Sequence, residues 1–104
     1  MPDPAEQLAR IYQAGFDIEQ FDRYPQALGV VRDQCIALFE ATPNGLSMIG
    51  SPGRRMGEVM GVLVEKDGRK VFQAKREIVE ATPELLEKLK SFERELKDLL
   101  SPVA

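Results

Sequence analysis

The chain contains no histidine, no tryptophan and only one cysteine among its 104 residues. Histidine is the commonest general base in enzymes, the commonest zinc ligand and the usual partner of a nucleophilic serine or cysteine, so its absence argues against those chemistries. A single cysteine cannot form an internal disulfide, which favours a reducing compartment. We therefore expect a cytoplasmic protein without a catalytic residue, metal or cofactor, and we favour a non-enzymatic role.

Long apolar runs are also missing. No segment approaches the ~20 apolar residues that a membrane-spanning helix needs, and the acidic first residues lack the apolar stretch of a signal peptide. We expect no membrane contact. The remaining composition, with 43% hydrophobic and 30% charged residues, is typical of a globular protein. We expect residues 1–104 to form one small domain.

The net charge of −3 conceals an uneven distribution. Residues 1–42 carry three basic and seven acidic side chains, residues 43–76 carry seven and three, and residues 77–104 carry four and seven. A cationic middle segment thus lies between two anionic ones. The simplest interpretation is that they neutralise one another within the fold, and the alternative is a basic patch for an anionic partner.

Both ends of the chain indicate helices. Asp3 can cap the first helix, Pro4 suits its first position, Glu6 completes a capping box and Gly15 supplies the stop. Thr82 can cap the last helix, which Pro83 opens. Apolar residues then recur at alternating spacings of four and three, as on one face of a helix: Leu85, Leu89, Phe92, Leu96 and Leu99.

That stripe has two interpretations. An amphipathic helix of this length most simply packs on a sheet of its own chain. The alternative is a pair of helices in a homodimer, for which the same five residues, Leu85 to Leu99, are the candidate interface. A sheet edge beside the second hairpin is the other candidate contact.

The middle of the chain indicates strands and turns. A Pro-Asn-Gly triplet between Cys35–Phe39 and Leu46–Ile49 predicts a hairpin, since asparagine and glycine tolerate positive φ. A Lys-Asp-Gly triplet between Val62–Glu65 and Val71–Gln73 predicts a second hairpin, whose second arm runs on towards Val79. Residues 24–34 fit either a helix opened by Pro25 or a strand, and we favour the strand because Gly29 weakens a helix.

With a short connector or helical turn over residues 54–60, the order becomes helix, three strands, short helix, two strands, helix. We therefore predict an α+β domain, with an antiparallel sheet of about four to five strands between the terminal helices. This order resembles that of the secretion-chaperone-like fold, a dimeric module that binds other proteins. The resemblance implies a homodimeric protein-binding module.

Residues 50–58, GSPGRRMGE, are the stretch most like a site. Glycines allow close approach of the backbone, and paired arginines can each bind a carboxylate or phosphate through two hydrogen bonds. The candidate anion-binding residues are Ser51, Gly53, Arg54 and Arg55. Neither phosphate-loop glycine pattern is present, so we favour a turn whose arginines pair with the protein's own carboxylates. A small-anion or nucleotide-phosphate site is the alternative.

Three further groups have modest interpretations. Asp17, Glu19, Asp22 and Asp33 match no calcium loop and are expected to be solvated acids. Phe16, Phe21 and Tyr24 form either the core or an interface, and we favour the core. The basic hairpin over residues 66–76 could bind nucleic acid, but it holds only one aromatic residue, so we consider that binding a weak alternative. Our leading hypothesis is a homodimeric, non-enzymatic module that binds itself or another protein.

Overall fold

The computed structural model describes residues 3–22, 24–57 and 59–100. Two helices enclose seven strands in chain order: α1 (Pro4–Gln13), β1 (Asp17–Glu19), β2 (Leu28–Arg32), β3 (Cys35–Thr42), β4 (Gly45–Met56), β5 (Val59–Lys66), β6 (Arg69–Ala74), β7 (Glu77–Glu80) and α2 (Pro83–Leu100). Each strand pairs antiparallel with the next, so the order across the sheet is the order along the chain. The α+β class is confirmed, with seven strands in place of four or five.

The first helix begins and ends where the sequence predicts. The Asp3 side chain accepts a hydrogen bond from the Ala5 N–H at 3.0 Å, and Pro4 occupies the first turn. Gly15 has a φ of +98°, a conformation that favours glycine and stops the helix. The buried Gln7 side chain accepts a hydrogen bond from the Leu46 N–H at 2.8 Å, which ties α1 to β4.

The sheet curls where β4 passes from one neighbour to the next. Most of β4 pairs only with β3. Within β4, β5 pairs with the last three residues only, and these pairs run from Arg54 with Gly61 to Met56 with Val59. From Val62 onward β5 pairs with β6 instead. A side chain on Gly53 would overlap the carbonyl oxygen of Gly61, so this bend needs a glycine.

Both helices pack on one face of the sheet, which we call the inner face. Its core consists of thirteen buried residues: Ile11, Phe16, Val30, Cys35, Ala37, Phe39, Met56, Phe72, Ala74, Ala81, Leu89, Phe92 and Leu96. The Phe16 and Phe92 rings lie 5.7 Å apart and join the start of the sheet to α2. The Arg32 guanidinium lies 3.9 Å above the Phe16 ring and forms an ion pair with Glu95, which fixes α2 against β2.

The α2 stripe is therefore used within the chain. Leu89, Phe92 and Leu96 are buried in the inner core, so in this fold they are not available to a second copy. Leu85 and Leu99 pack against the same core but are half-buried. This arrangement is the packing on a sheet that the sequence favoured over a helix pair.

Three sequence expectations for the middle of the chain had different outcomes. Residues 24–34 contain strand β2, as favoured. The prediction of a helical turn over residues 54–60 was wrong. Strand β4 runs to Met56, strand β5 starts at Val59, and Gly57, whose φ is +66°, lies in the turn between them. The arm expected to run on towards Val79 is two strands, β6 and β7. The resemblance to the secretion-chaperone-like order depended on that short helix and loses its basis.

Neither described helix has the length and apolar character that crossing a membrane requires.

Candidate functional site

Strand β4 separates the predicted anion-binding residues. Successive side chains on a strand point to opposite faces, and Arg54 lines the inner face beside Cys35 whereas Arg55 lies on the other, outer face. Ser51 is exposed beside Lys70 and α2, and Gly53 is buried at the bend. The four residues do not converge on one anion site.

A cleft of about 780 Å³ opens on the outer face. We call it the outer cleft. Its described lining comes from the end of β1 and the chain after it, from the β4–β5 hairpin and from the turn between β6 and β7: Glu19, Gln20, Phe21, Asp22, Tyr24, Arg55, Val59, Met60 and Lys75. The volume lies within the range of about 300–1,000 Å³ typical of small-molecule sites.

Arg55 is the most constrained charged group in the outer cleft. Its guanidinium forms an ion pair with Glu19 and lies 5.9 Å from the centre of the Phe21 ring. Its backbone N–H donates to the carbonyl of Gln34 at 2.7 Å. The side chain is 25% exposed. Arg55 thus has the partner that the sequence favoured, a carboxylate of the protein itself.

The floor of the cleft is a second, smaller core. Its buried residues are Phe21, Ala27, Val31, Ile36, Leu38 and Met60, and the half-buried Tyr24 packs against them. Phe21 lies directly over Gly29 of β2, where a side chain would collide with its ring. The segment between β1 and β2 therefore folds back over the outer face. Of the three aromatics whose place was open, Phe16 and Phe21 are core residues, and Tyr24 is partly exposed in the cleft.

Lys75 reaches the outer cleft because β6 and β7 are joined by a two-residue turn. Lys75 occupies that turn with a φ of +53°, an uncommon conformation for a residue with a side chain. Lys-Arg is not a typical turn pair, so composition gives no signal for this turn. Sequence reasoning consequently missed Lys75 as a neighbour of Arg55.

Cavities also lie between α2 and the inner face. One of about 410 Å³ is lined in part by Arg32, Cys35, Lys88 and Glu95. Burial is the main cause that raises the pKa of the Cys35 thiol, followed by the nearby Asp33 carboxylate. A protonated thiol is a poor nucleophile. Cys35 is therefore suited to packing, as the sequence suggested.

Strand β7 forms one edge of the sheet and is exposed along its whole length. Ile78 pairs with Gln73, which pairs with Val62, so these three residues form one row on the outer face. Ile78 is 48% exposed and Val62 is 44% exposed. Val62 and Ile78 are thus exposed apolar side chains on either side of the polar Gln73, and no described strand covers the β7 edge beside them.

The basic hairpin over residues 66–76 places its charges at both ends. Lys66, Arg69 and Lys70 lie near one turn, and Lys75 lies at the other end of β6. The only aromatic residue, Phe72, is buried in the inner core and is not available to stack on a base. Within residues 3–22, 24–57 and 59–100, no three Cys, Asp or Glu side chains are grouped so that they could hold a metal ion.

No protein-family model, curated protein or solved structure matches this chain. The function must therefore be inferred from the geometry of the outer cleft and of the β7 edge.

Proposed function

We propose that the protein is a non-enzymatic assembly module that forms a homodimer through the open edge of β7. The proposal rests on the exposed edge strand that carries Ile78. Among the described residues, β7 has β6 on one side and no strand on the other. An unpaired edge of this kind is a template for a further strand.

The hydrogen-bond pattern identifies which backbone groups are free at that edge. The Ala81 N–H donates to the Lys70 carbonyl at 3.0 Å, so Ala81 continues the ladder between β6 and β7. In an antiparallel ladder, the residues that bond to the neighbouring strand alternate along the chain. Ile78 and Glu80 therefore direct their N–H and C=O groups away from β6. The Glu80 carbonyl already accepts a hydrogen bond from the Thr82 N–H at 3.1 Å, so Ile78 is the residue that presents both groups to the open edge.

The charges around Ile78 favour a second copy as the partner. Arg76, the second residue of the turn between β6 and β7, precedes Ile78 by two residues, and Glu80, the last residue of β7, follows it by two. If two copies pair antiparallel about Ile78, the turn that carries Arg76 in each copy lies beside the end of β7 that carries Glu80 in the other, and the two-fold symmetry brings these opposite charges together twice. Shifting the register by one residue so that Ile78 faces Val79 would instead oppose Glu77 and Glu80, two like charges.

The row of Val62, Gln73 and Ile78 supports the same geometry. Edge pairing about Ile78 would join the two Val62–Gln73–Ile78 rows into one row across both sheets. The contact involves four-residue strands, so the interface is small, and we expect a dissociation constant in the micromolar range.

A charge-exchange experiment tests the proposal. Sedimentation velocity at rising micromolar concentration should show a monomer–dimer equilibrium. Arg76→Glu and Glu80→Arg should each weaken the dimer by roughly tenfold, since each places like charges opposite one another. The double variant should restore dimerisation because it recreates both ion pairs in reverse. A monomer at every concentration, or a double variant no better than the single ones, would refute the proposal.

Cross-linking tests the register. In an antiparallel hydrogen-bonded pair the two Ile78 Cα atoms would lie about 5.5 Å apart, within disulfide range. Ile78→Cys should therefore form a disulfide-linked dimer under mild oxidation. Val62→Cys is the matched control, since Val62 is similarly exposed but would lie about 24 Å from its counterpart across five strand spacings. Equal cross-linking of both variants would contradict the edge pairing.

A further inference from the structure

We propose that the outer cleft binds a small planar organic anion, with the acidic group held between Arg55 and Lys75 and the ring against Phe21 and Tyr24. This site is separate from the β7 dimer contact and needs no second copy. Three features of the cleft support this ligand class: the fixed position of Arg55, the charge of Lys75 and the aromatic floor.

Arg55 is preorganised to bind an anion. Glu19 accepts a hydrogen bond from Nη2 of Arg55, and the Phe21 ring lies below the guanidinium. The other guanidinium N–H groups have no hydrogen-bond acceptor within the ranges that the structure describes. A guanidinium whose position is already fixed loses little conformational entropy when a ligand accepts those remaining hydrogen bonds.

Lys75 brings a second positive charge to the outer cleft. Glu19 neutralises Arg55, whereas the Lys75 ammonium has no carboxylate within ion-pair distance among the described residues. Asp22 is the lining acid that opposes it, from an exposed position. The four described charges of the lining sum to zero, and an anionic group beside Lys75 would take the place of the ion-pair partner that Lys75 lacks among the described residues.

The apolar floor of the cleft favours a ligand with a flat apolar part. Phe21 and Met60 are each 8% exposed and form part of this floor. Tyr24 stands half-buried beside them. An aromatic ring stacked against Phe21 or Tyr24 would bury apolar area and add a favourable ring contact. The ligand class is therefore an aromatic carboxylate, sulfonate or phosphate of about the size that 780 Å³ admits.

Anilinonaphthalene sulfonate, a fluorescent planar anion, is a direct probe. Its titration should give saturable binding, and Arg55→Ala and Lys75→Ala should each weaken it by about tenfold because each removes a charge-assisted contact. Arg54→Ala and Lys70→Ala are matched controls that should leave the affinity unchanged, since these residues lie outside the outer cleft. Lys75 is exposed in a turn, so its variant keeps the test valid even if Arg55→Ala destabilises the fold.

A charge variant and an uncharged dye test the ligand class. Asp22→Asn should strengthen binding by about twofold, because it removes an exposed like charge; weaker binding would mean that the cleft prefers a cationic or zwitterionic ligand and would overturn the proposal. N-phenylnaphthylamine, a similar uncharged dye, should bind more weakly and without dependence on Arg55.

The proposal fails if Arg54→Ala weakens binding of the anionic dye as much as Arg55→Ala does. It also fails if Ile78→Lys alone abolishes the fluorescence, since the dye would then lie on the β7 surface.

Discussion

The contact between Gly29 and Phe21 makes the geometry of the outer cleft testable. An alanine Cβ at position 29 would overlap Cε2 of the Phe21 ring and lie 2.8 Å from Cδ2 and 3.0 Å from the carbonyl oxygen of Glu19. Gly29 has a negative φ, so alanine adds no backbone strain. The cost of Gly29→Ala therefore comes almost wholly from the Phe21 ring.

The magnitudes follow from the packing. Overpacking of this kind costs about 2 kcal/mol, and Phe21→Ala should cost about 3 kcal/mol because the ring is nearly buried. Once the ring is removed, only the tight contact with Glu19 remains, and it is offset by the gain of about 0.5 kcal/mol when alanine replaces glycine in a strand. The double variant should then lose about 3 kcal/mol instead of 5, a coupling of about 2 kcal/mol.

Urea unfolding followed by far-UV circular dichroism measures these free energies, since the chain has no tryptophan to report by fluorescence. A double variant whose loss equals the sum of the single losses would refute the contact between Phe21 and Gly29. Gly53→Ala combined with Met60→Ala is the control. It should show little rescue, because the carbonyl oxygen of Gly61, a backbone atom, would still obstruct the new Cβ.

Two other predictions concern the inner face. Arg32→Ala should lower the free energy of unfolding by about 1–2 kcal/mol, since it removes the contact with Phe16 and the ion pair with Glu95. Glu95→Gln should cost less than half of that because Glu95 is largely exposed, and equal costs in urea unfolding would contradict this. The Cys35 thiol should react with an aromatic disulfide reagent only upon unfolding; reaction at the rate of a free thiol would refute its burial. Because burial raises its pKa, the folded state holds the proton more tightly, and stability should fall as pH rises above the ordinary thiol pKa. Cys35→Ala should reduce that fall.

Local sequence signals predicted the terminal helices and two of the turns. Asp3 and Pro4 determine the start of α1 through their own backbone contacts, and the repeat from Leu85 to Leu99 needs only the helical period to be recognised. Asn44 and Gly68 mark hairpin turns for equally local reasons. These elements could be predicted because the information lies within a few residues.

The candidate site could not be predicted in the same way. Pro52 and Gly53 predicted a turn, yet they lie inside the long strand β4. The strand bends there, and that bend suits proline, which has no backbone N–H, and glycine, which has no side chain. The turn at Lys75 lacks the residues that usually mark one. The meeting of Arg55 with Lys75 depends on how the sheet curls, and a single sequence does not specify that curvature. Arg54 and Arg55 are adjacent in the chain, but the alternation of a strand separates them.

The strand order of this sheet also affects how the protein folds. Because each strand pairs with its neighbour in the chain, the sheet can assemble hairpin by hairpin with little loss of loop-closure entropy. The helix α2 is different, since it follows all seven strands and must then contact α1 and the middle of the sheet. Until it docks, the ring of Phe72, which lies beside Leu85 and Leu89 of α2, remains uncovered on the inner face. We therefore expect docking of α2 to be the late step of folding and the interval in which the chain is most prone to aggregate.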